Sequence, residues 1–294
     1  MYGMDKVVND DVFVALATRP DLQSLEFQMA VTPELVSLAK SRRNRNCDGG
    51  QLFPQLRKLI WTGDIDRLFS FLPHLTQLTH LEATILGSHI SYVKTPGSLS
   101  DIATYCPKLQ VLELRYATAE DLDFELVKPS TTAEDIDISP DELVELAQRS
   151  QHLEHMEISG DHVRAPGLEN VHIAKIVEAL PSLRVLVLEF QCALTEAALV
   201  EVGKGCGKTL TECGLWGSYN LSNLEKSGIS FPLLRDLVLE KVVSSATPDS
   251  TANEAANDAR LLKRVAPNLD SFIIIVRDSF AREVVTQVNV LINE

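Results

Sequence analysis

Long apolar runs are missing from this chain of 294 residues: no stretch approaches the roughly 18 consecutive apolar residues that a membrane-spanning helix requires. The first residues lack a charged segment followed by an apolar one, so no secretory signal is expected either. Cysteine is scarce. Cys47, Cys106, Cys192, Cys206 and Cys213 form no C-x-x-C pair, and an odd number at irregular spacing argues against a disulfide framework and for a reducing compartment. Positive charge is in deficit, with 27 Lys and Arg against 41 Asp and Glu and a formal net charge of −14. A general phosphate-backbone binder needs a basic face, so no nucleic-acid partner is expected. These absences together imply a cytoplasmic and/or nuclear protein without membrane contact, in which Asn220-Leu221-Ser222 matches the glycosylation sequon by chance.

The chain is rich in leucine set at one spacing. Leu109, Leu112 and Leu114 in Cys106-Pro107-Lys108-Leu109-Gln110-Val111-Leu112-Glu113-Leu114 follow an L-x-x-L-x-L pattern. It returns at Leu183, Leu186, Leu188 and at Leu234, Leu237, Leu239, and with substitutions at Leu153, Met156, Ile158 and Leu269, Phe272, Ile274. Weaker copies are Leu22, Leu25, Phe27; Leu56, Leu59, Trp61; Leu78, Leu81, Ala83; and Leu210, Cys213, Leu215. The nine copies recur at a mean interval of about 31 residues, near the range of leucine-rich repeats. Each reads as the end of a helix, a Pro or Gly turn and a short strand with one apolar face. Such a unit cannot bury that face alone, and stacking the units makes a shared core. The expected fold is therefore an α/β leucine-rich-repeat solenoid, a curved horseshoe with parallel strands on the concave side and helices on the convex side. It would form a single irregular domain over residues 1–294.

Local signals place the remaining elements. Helices are expected near 11–18, 64–72, 98–105, 142–149, 171–180 and 195–203. Thr32 and Pro33 read as the cap and first residue of another helix, closed by Lys40-Ser41-Arg42-Arg43-Asn44-Arg45. That basic run fits either a nuclear-import signal or cations at a helix C-terminus. Gly49-Gly50 would then turn the chain into the next strand. Residues 116–138 break the period and hold Glu120, Asp121, Asp123, Glu125, Glu134, Asp135 and Asp137 against only Lys128, which suggests an acidic insertion, solvated or serving as a docking tail. Ser139-Pro140-Asp141-Glu142 has the form of a capping box. Residues 244–258 read as a flexible insertion giving way to a helix through Val265, and residues 279–294 as a capping helix for the last open face.

The helix followed by "CPKLQVLEL" resembles the cysteine-containing leucine-rich repeats of F-box proteins. The phrases "LPSLRVLVLEF", "FPLLRDLVLEK" and "APNLDSFIII" look like those of fungal members in particular, over roughly residues 11–278. The resemblance implies a substrate-recognition array that feeds a ubiquitin ligase. The family's F-box, a helical segment of some forty residues, has no room before Leu22. Contact with the ubiquitin-ligase core is therefore expected only if an F-box lies upstream. A free-standing regulatory or structural repeat protein, an inhibitor or scaffold without a ubiquitin role, is the alternative.

Motifs with catalytic potential stop short of completion. Gly203-Lys204-Gly205-Cys206-Gly207-Lys208-Thr209 resembles the phosphate loop G-x-x-x-x-G-K-[ST], but its first glycine is one residue too close and a helix, not a strand, precedes it. A glycine-rich turn from helix to strand is the competing reading, and a nucleotide-binding enzyme the weaker functional alternative. His152-Leu153-Glu154-His155 lacks one residue of the H-x-x-E-H zinc pattern and would draw further ligands only from Asp161 or His162. No G-x-S-x-G occurs. No enzyme, cofactor or metal is expected.

Side chains alternate along a strand, so the residues flanking the last two motif positions should project from the sheet. The position between them carries Glu26, Ile60, Glu82, Glu113, Glu157, Val187, Gly214, Val238 and Ile273. The position after them carries Gln28, Thr62, Thr84, Arg115, Ser159, Glu189, Trp216, Glu240 and Ile275. A partner-binding concave face is expected from Glu82, Glu113, Arg115, Glu157, Val187, Glu189, Trp216, Val238, Glu240 and Ile273. Glu82, Glu113 and Glu157 form an acidic ladder in its first half, fit either for a Lys/Arg-rich protein segment or for solvation alone. The apolar second half is either a binding surface or lies under the C-terminal helix or an insertion.

Overall fold

Most strands are launched by the same turn. The amide of the first motif leucine donates to the carbonyl three residues back: Leu109 to Cys106 (3.1 Å), Leu153 to Ser150 (2.9 Å), Leu183 to Leu180 (3.1 Å) and Leu269 to Ala266 (3.2 Å). The turn drops that leucine into the core and launches the strand. The computed structural model describes residues 10–28, 37–39, 41, 52–63, 65–86, 98–117, 136–244, 251–276 and 278–293. Thr32 and Pro33, Cys47, Gly49-Gly50, most of the acidic insertion and the basic stretch from Lys40 to Arg45, apart from Ser41, lie outside the described residues.

The chain divides into two compact units, Met1–Glu134 and Asp135–Glu294. The first unit contains α1 (Asp10–Ala17), β1 (Ser24–Gln28), β2 (Lys58–Gly63), α2 (Ile65–Phe71), β3 (His80–Leu86), α3 (Ser98–Tyr105) and β4 (Val111–Ala117). Its strands pair in parallel in the order β1-β2-β3-β4. The second unit contains β5 (Ile136–Asp137), α4 (Pro140–Arg149), β6 (His155–Arg164), α5 (Asn170–Ala179), β7 (Val185–Gln191), α6 (Glu196–Gly205), β8 (Glu212–Tyr219), β9 (Asp236–Val242), α7 (Thr251–Val265), β10 (Ser271–Ile274) and α8 (Ser279–Asn293). Here the parallel order is β6-β7-β8-β9-β10, with β5 added along Val163 and Arg164 of β6. A 3-10 turn, Leu221–Lys226, replaces an α-helix between β8 and β9. Among the described residues no helix is long and apolar enough to cross a membrane.

The strands pair in the register that the leucine spacing sets. Leu59 faces Leu81, Leu81 faces Leu112, and Leu186 faces Cys213. One carbonyl per repeat serves two amides of the next: Gln23 accepts from Arg57 and Lys58, Arg57 from Thr79 and His80, Glu154 from Arg184 and Val185, and Arg235 from Asp270 and Ser271. The inward residues of the strands are buried, as are Leu143, Leu146, Ile173, Ile176, Leu199 and Val202 on the helices. In the first unit Phe13, Phe53, Phe71 and Trp61 close the core, with Phe53 and Phe71 edge to face at 5.0 Å.

Several local expectations change. Ser139 stands at the N-cap of α4, yet its hydroxyl makes no cap hydrogen bond; Pro140 in the first turn and the acidic Asp141 and Glu142 at the positive helix end accompany the start instead. Helix α7 begins at Thr251, so residues 251–258, expected in the insertion, are helical. Their composition hid a stripe of buried Ala255, Asp258 and Ala259. Strand β4 runs on to Ala117 and β5 occupies 136 and 137, so both ends of the expected 116–138 insertion are strand. The C-terminal helix forms as Ser279–Asn293, opened by Asp278, which accepts from the amide of Ala281 at 2.8 Å. It packs on α7 and β10 through Phe280, Ala281, Val284 and Val288.

Asp258 on α7 is 1% exposed. The Ser222 hydroxyl donates to its Oδ1 at 2.9 Å, while Oδ2 is buried without a hydrogen-bond partner among the described residues. Burial pushes this carboxyl up to about 6, helped by Glu254 and opposed by the Ser222 bond. The folded chain therefore holds the Asp258 proton more tightly than the unfolded chain. This contribution to stability is present at acid pH and is lost as pH rises from the ordinary value of 3.8 through about 6. Asp258→Asn is expected to raise unfolding stability at pH 7 by about 1–2 kcal/mol and to make little difference below pH 4, as thermal denaturation across pH would record. Leu112, fully buried in the register between Leu81 and its own turn, is expected to cost about 2–5 kcal/mol on replacement by Ala, read by urea denaturation.

Candidate functional site: the outward face of the repeat strands

The strands project three outward rows, not two. Because Leu59, Leu81 and Leu112 point inward, the residues before them, Lys58, His80 and Val111, share a face with Ile60, Glu82 and Glu113. The equivalent row in the second unit is His155, Val185, Glu212, Asp236 and Ser271. Counting outward only from the last two motif positions leaves this row out, although strict alternation predicts it.

That row changes the electrostatics of the first unit. Lys58 Nζ lies 2.5 Å from Glu82 Oε1, so the first carboxylate of the expected ladder is held in an ion pair by the neighbouring strand. Glu82 and Glu113 are register partners, and parallel neighbours stand about 4.8 Å apart. Lys58 therefore relieves part of the repulsion between these carboxylates from the neighbouring strand, while Arg115 is exposed two residues beyond Glu113. Glu157 belongs to the second unit, where its Oε2 lies 3.6 Å from His155 Nε2.

The second unit holds the apolar outward residues, and they differ in exposure. Val187 is only 4% exposed. A Cβ on Gly214 would lie 3.2 Å from Val187 Cγ1, so Val187 occupies room that the glycine leaves on the next strand. It is a packing residue and not part of the exposed surface expected of it. Trp216, Val238, Glu189 and Glu240 are half-buried. Ile273, Ile275 and Val276 are 39%, 49% and 44% exposed, so α8 does not cover them. The Cys192 thiol reaches the carbonyl of Trp216 at 3.0 Å.

The glycine-rich stretch at 203–209 has a different role from a phosphate cradle. Its first residues end α6, and Cys206 closes the helix by donating its amide to Val202. A helix C-terminus presents carbonyl oxygens and the negative end of the dipole, the wrong polarity for phosphate. The Thr209 hydroxyl is turned to the carbonyls of Leu183 (2.7 Å) and Cys206 (3.0 Å). The glycines are required by close packing: a Cβ at Gly207 would stand 2.5 Å from the Gly203 carbonyl oxygen and 2.7 Å from that of Ser230.

Thiol and metal chemistry find little support in the geometry. Burial pushes the Cys106, Cys192 and Cys206 thiols up to about 12 and Cys213 higher still, away from the reactive thiolate. His152, Asp161 and His162 are exposed, whereas His155 lies on β6 beside Glu157. Among the described residues no three His, Cys, Asp or Glu side chains are grouped to hold a metal. Gly207→Ala is expected to lower stability by about 1–3 kcal/mol because backbone atoms block the added methyl, whereas Lys208→Ala, on an exposed residue, should stay within about 0.5 kcal/mol in the same denaturation experiment.

No family model matches the chain, and no curated protein matches it. Among solved structures it is similar to a chain in the crystal structure of the Rad7 and Elc1 complex in yeast, at 12% identity and a TM-score of 0.50, over 92% of this chain and 67% of that chain. At that identity the likeness concerns the fold alone: parallel strands alternating with helices, an α/β architecture like that of leucine-rich repeats.

Proposed function

We propose that the chain is a non-catalytic protein-recognition scaffold. The observation that carries this reading is the outward face of the second unit, where exposed Ile273 and Ile275 share the face of half-buried Val238, the register partner of Ile273, and of half-buried Trp216 one strand beyond. A contiguous apolar surface on a folded protein is characteristic of an interaction site. The repeat core needs none of these side chains, since the inward residues and the turn hydrogen bonds build it without them.

The finer reading is a substrate receptor working with a ubiquitin ligase. Two things support it: the resemblance of the repeat phrases to fungal F-box proteins, and the fold shared with a chain crystallised in a two-protein complex. A protein partner, held without catalysis or cofactor in the cytoplasm or nucleus, is common to this reading and to that of a free-standing scaffold. Recovery of the tagged chain from its own cells under native conditions distinguishes the two. Ubiquitin-ligase subunits should co-purify in the first case and be absent in the second, and a partner lost on replacing Ile273 and Ile275 by Asp should appear in both. If no protein is retained at the outward face, the scaffold reading fails. A nucleotide-dependent rise in melting temperature that disappears in Lys208→Ala would overturn the non-catalytic assignment.

A further inference from the structure

We propose that the outward face of β8, β9 and β10 binds an extended segment of another protein in which an apolar residue stands between two lysines or arginines. The proposal rests on the scaffold reading and gives its partner a chemistry. Along β9 the outward side chains are Asp236, Val238 and Glu240, which alternate with inward Leu237 and Leu239. Outward neighbours on a strand are about 6.6 Å apart, so the two carboxylates are about 13 Å apart with Val238 midway.

Both neighbouring strands widen the apolar centre. Gly214 is the register partner of Val238 on β8, and Ile273 its partner on β10. Gly214 adds no side chain above the sheet and Val187 of β7 packs into the room it leaves, so the apolar surface continues from Val238 towards Val187 on that side, while Trp216 lies one outward position further along β8. The result is an apolar floor of Trp216, Val238 and Ile273 bracketed by Asp236 and Glu240. Neither carboxylate makes an ion pair among the described residues; the one lysine on these three strands, Lys241, is half-exposed where the alternation of β9 breaks between Glu240 and Val242, and it pairs with neither. In the first unit, by contrast, Lys58 already holds Glu82. The cationic partner expected there is thus better matched by the second unit.

The spacing selects the partner's conformation as well as its charge. An extended segment repeats its side chains on one face at the interval of β9 itself, so a Lys/Arg-x-apolar-x-Lys/Arg sequence sets its cations over Asp236 and Glu240 and its apolar residue over Val238. Successive residues on one face of a helix lie about 6 Å apart only at i, i+3 and i+4, and its surface curves away from a sheet over 13 Å.

The experiment uses the full chain and three blocked nonapeptides: Gly-Ser-Arg-Ser-Leu-Ser-Arg-Ser-Gly, the same peptide with both arginines replaced by glutamate, and the same peptide with leucine replaced by serine. The chain has 2 tryptophans; Trp61 is fully buried in the first unit, so a change in emission on titration reports Trp216. The first peptide should bind at low salt, and each control should bind about tenfold or more weakly. Asp236→Asn combined with Glu240→Gln should weaken the first peptide by about tenfold, a difference that shrinks as salt rises, with melting temperature equal to or above that of the parent. The proposal is overturned if the parent does not bind, if the three peptides bind alike, or if the double variant binds as tightly at low salt. Concentration-dependent self-association abolished by the double variant would assign the surface to a second copy of this chain and overturn it too. Failure here and failure of the scaffold reading are separable. A native partner retained equally by parent and double variant leaves the scaffold standing and removes this site. Peptide binding as expected without any retained native partner does the reverse.

Discussion

The structure depends on one carbonyl oxygen per repeat that accepts two amide protons from the repeat that follows. Gln23 serves Arg57 and Lys58, Thr79 serves Gln110 and Val111, and Thr211 serves Arg235 and Asp236. Each such junction fixes where the next strand starts, and a parallel strand whose start is fixed has its register fixed throughout. A slip of one residue would turn Leu81 and Leu112 outward and Glu82 and Glu113 into the core, at a cost of several kcal/mol for each desolvated carboxylate. Register is therefore specified twice, by hydrogen bonds at the strand start and by leucine burial along its length.

This double specification is why the strands were legible in the sequence. Leucine spacing depends on local alternation and a local turn, and both can be read within ten residues. What could not be read depends on partners far apart in the chain. Lys58 meets Glu82 across 24 positions of sequence, and Ser222 meets Asp258 across 36. The start of α7 lies beyond local reading for a related reason: Thr251, Asn253, Asn257 and Asp258 have weak helical preference, and burial of Ala255, Asp258 and Ala259 against the 3-10 turn and the C-terminal helix supplies what those residues lack. The outward face was read in part. Two of its rows follow from the motif, the third was lost by counting only from the last two apolar positions, and the burial of Val187 depends on a glycine one strand away.

Glycines and cysteines that look chemical in the sequence answer to the same packing demand. Gly203, Gly205 and Gly207 each lie where an added Cβ would be within 3.0 Å of another atom: of Ile229, of Val177, and of the Gly203 and Ser230 carbonyls. Cys106, Cys206 and Cys213 occupy positions where a small apolar side chain fits beneath a turn or strand. A spacing that resembles a phosphate loop arises because a helix end must pass close to helix α5 and to the segment 229–231 that precedes β9.

The outward face carries no comparable constraint, and that gives its composition meaning. Val238, Ile273 and Ile275 favour the extended backbone by β-branching, a preference worth less than about 1 kcal/mol per site. Threonine would supply the same preference without apolar exposure, as Thr62 and Thr84 do at outward positions of β2 and β3. Strand formation thus accounts for β-branching at these positions but not for their hydrophobicity. Trp216 makes the point more strongly, since a half-buried indole on an outward row contributes to no core that the leucines leave unfilled. Hydrophobic residues where only polar ones are needed, set between carboxylates that make no ion pair among the described residues, are what the proposed contact with another chain requires.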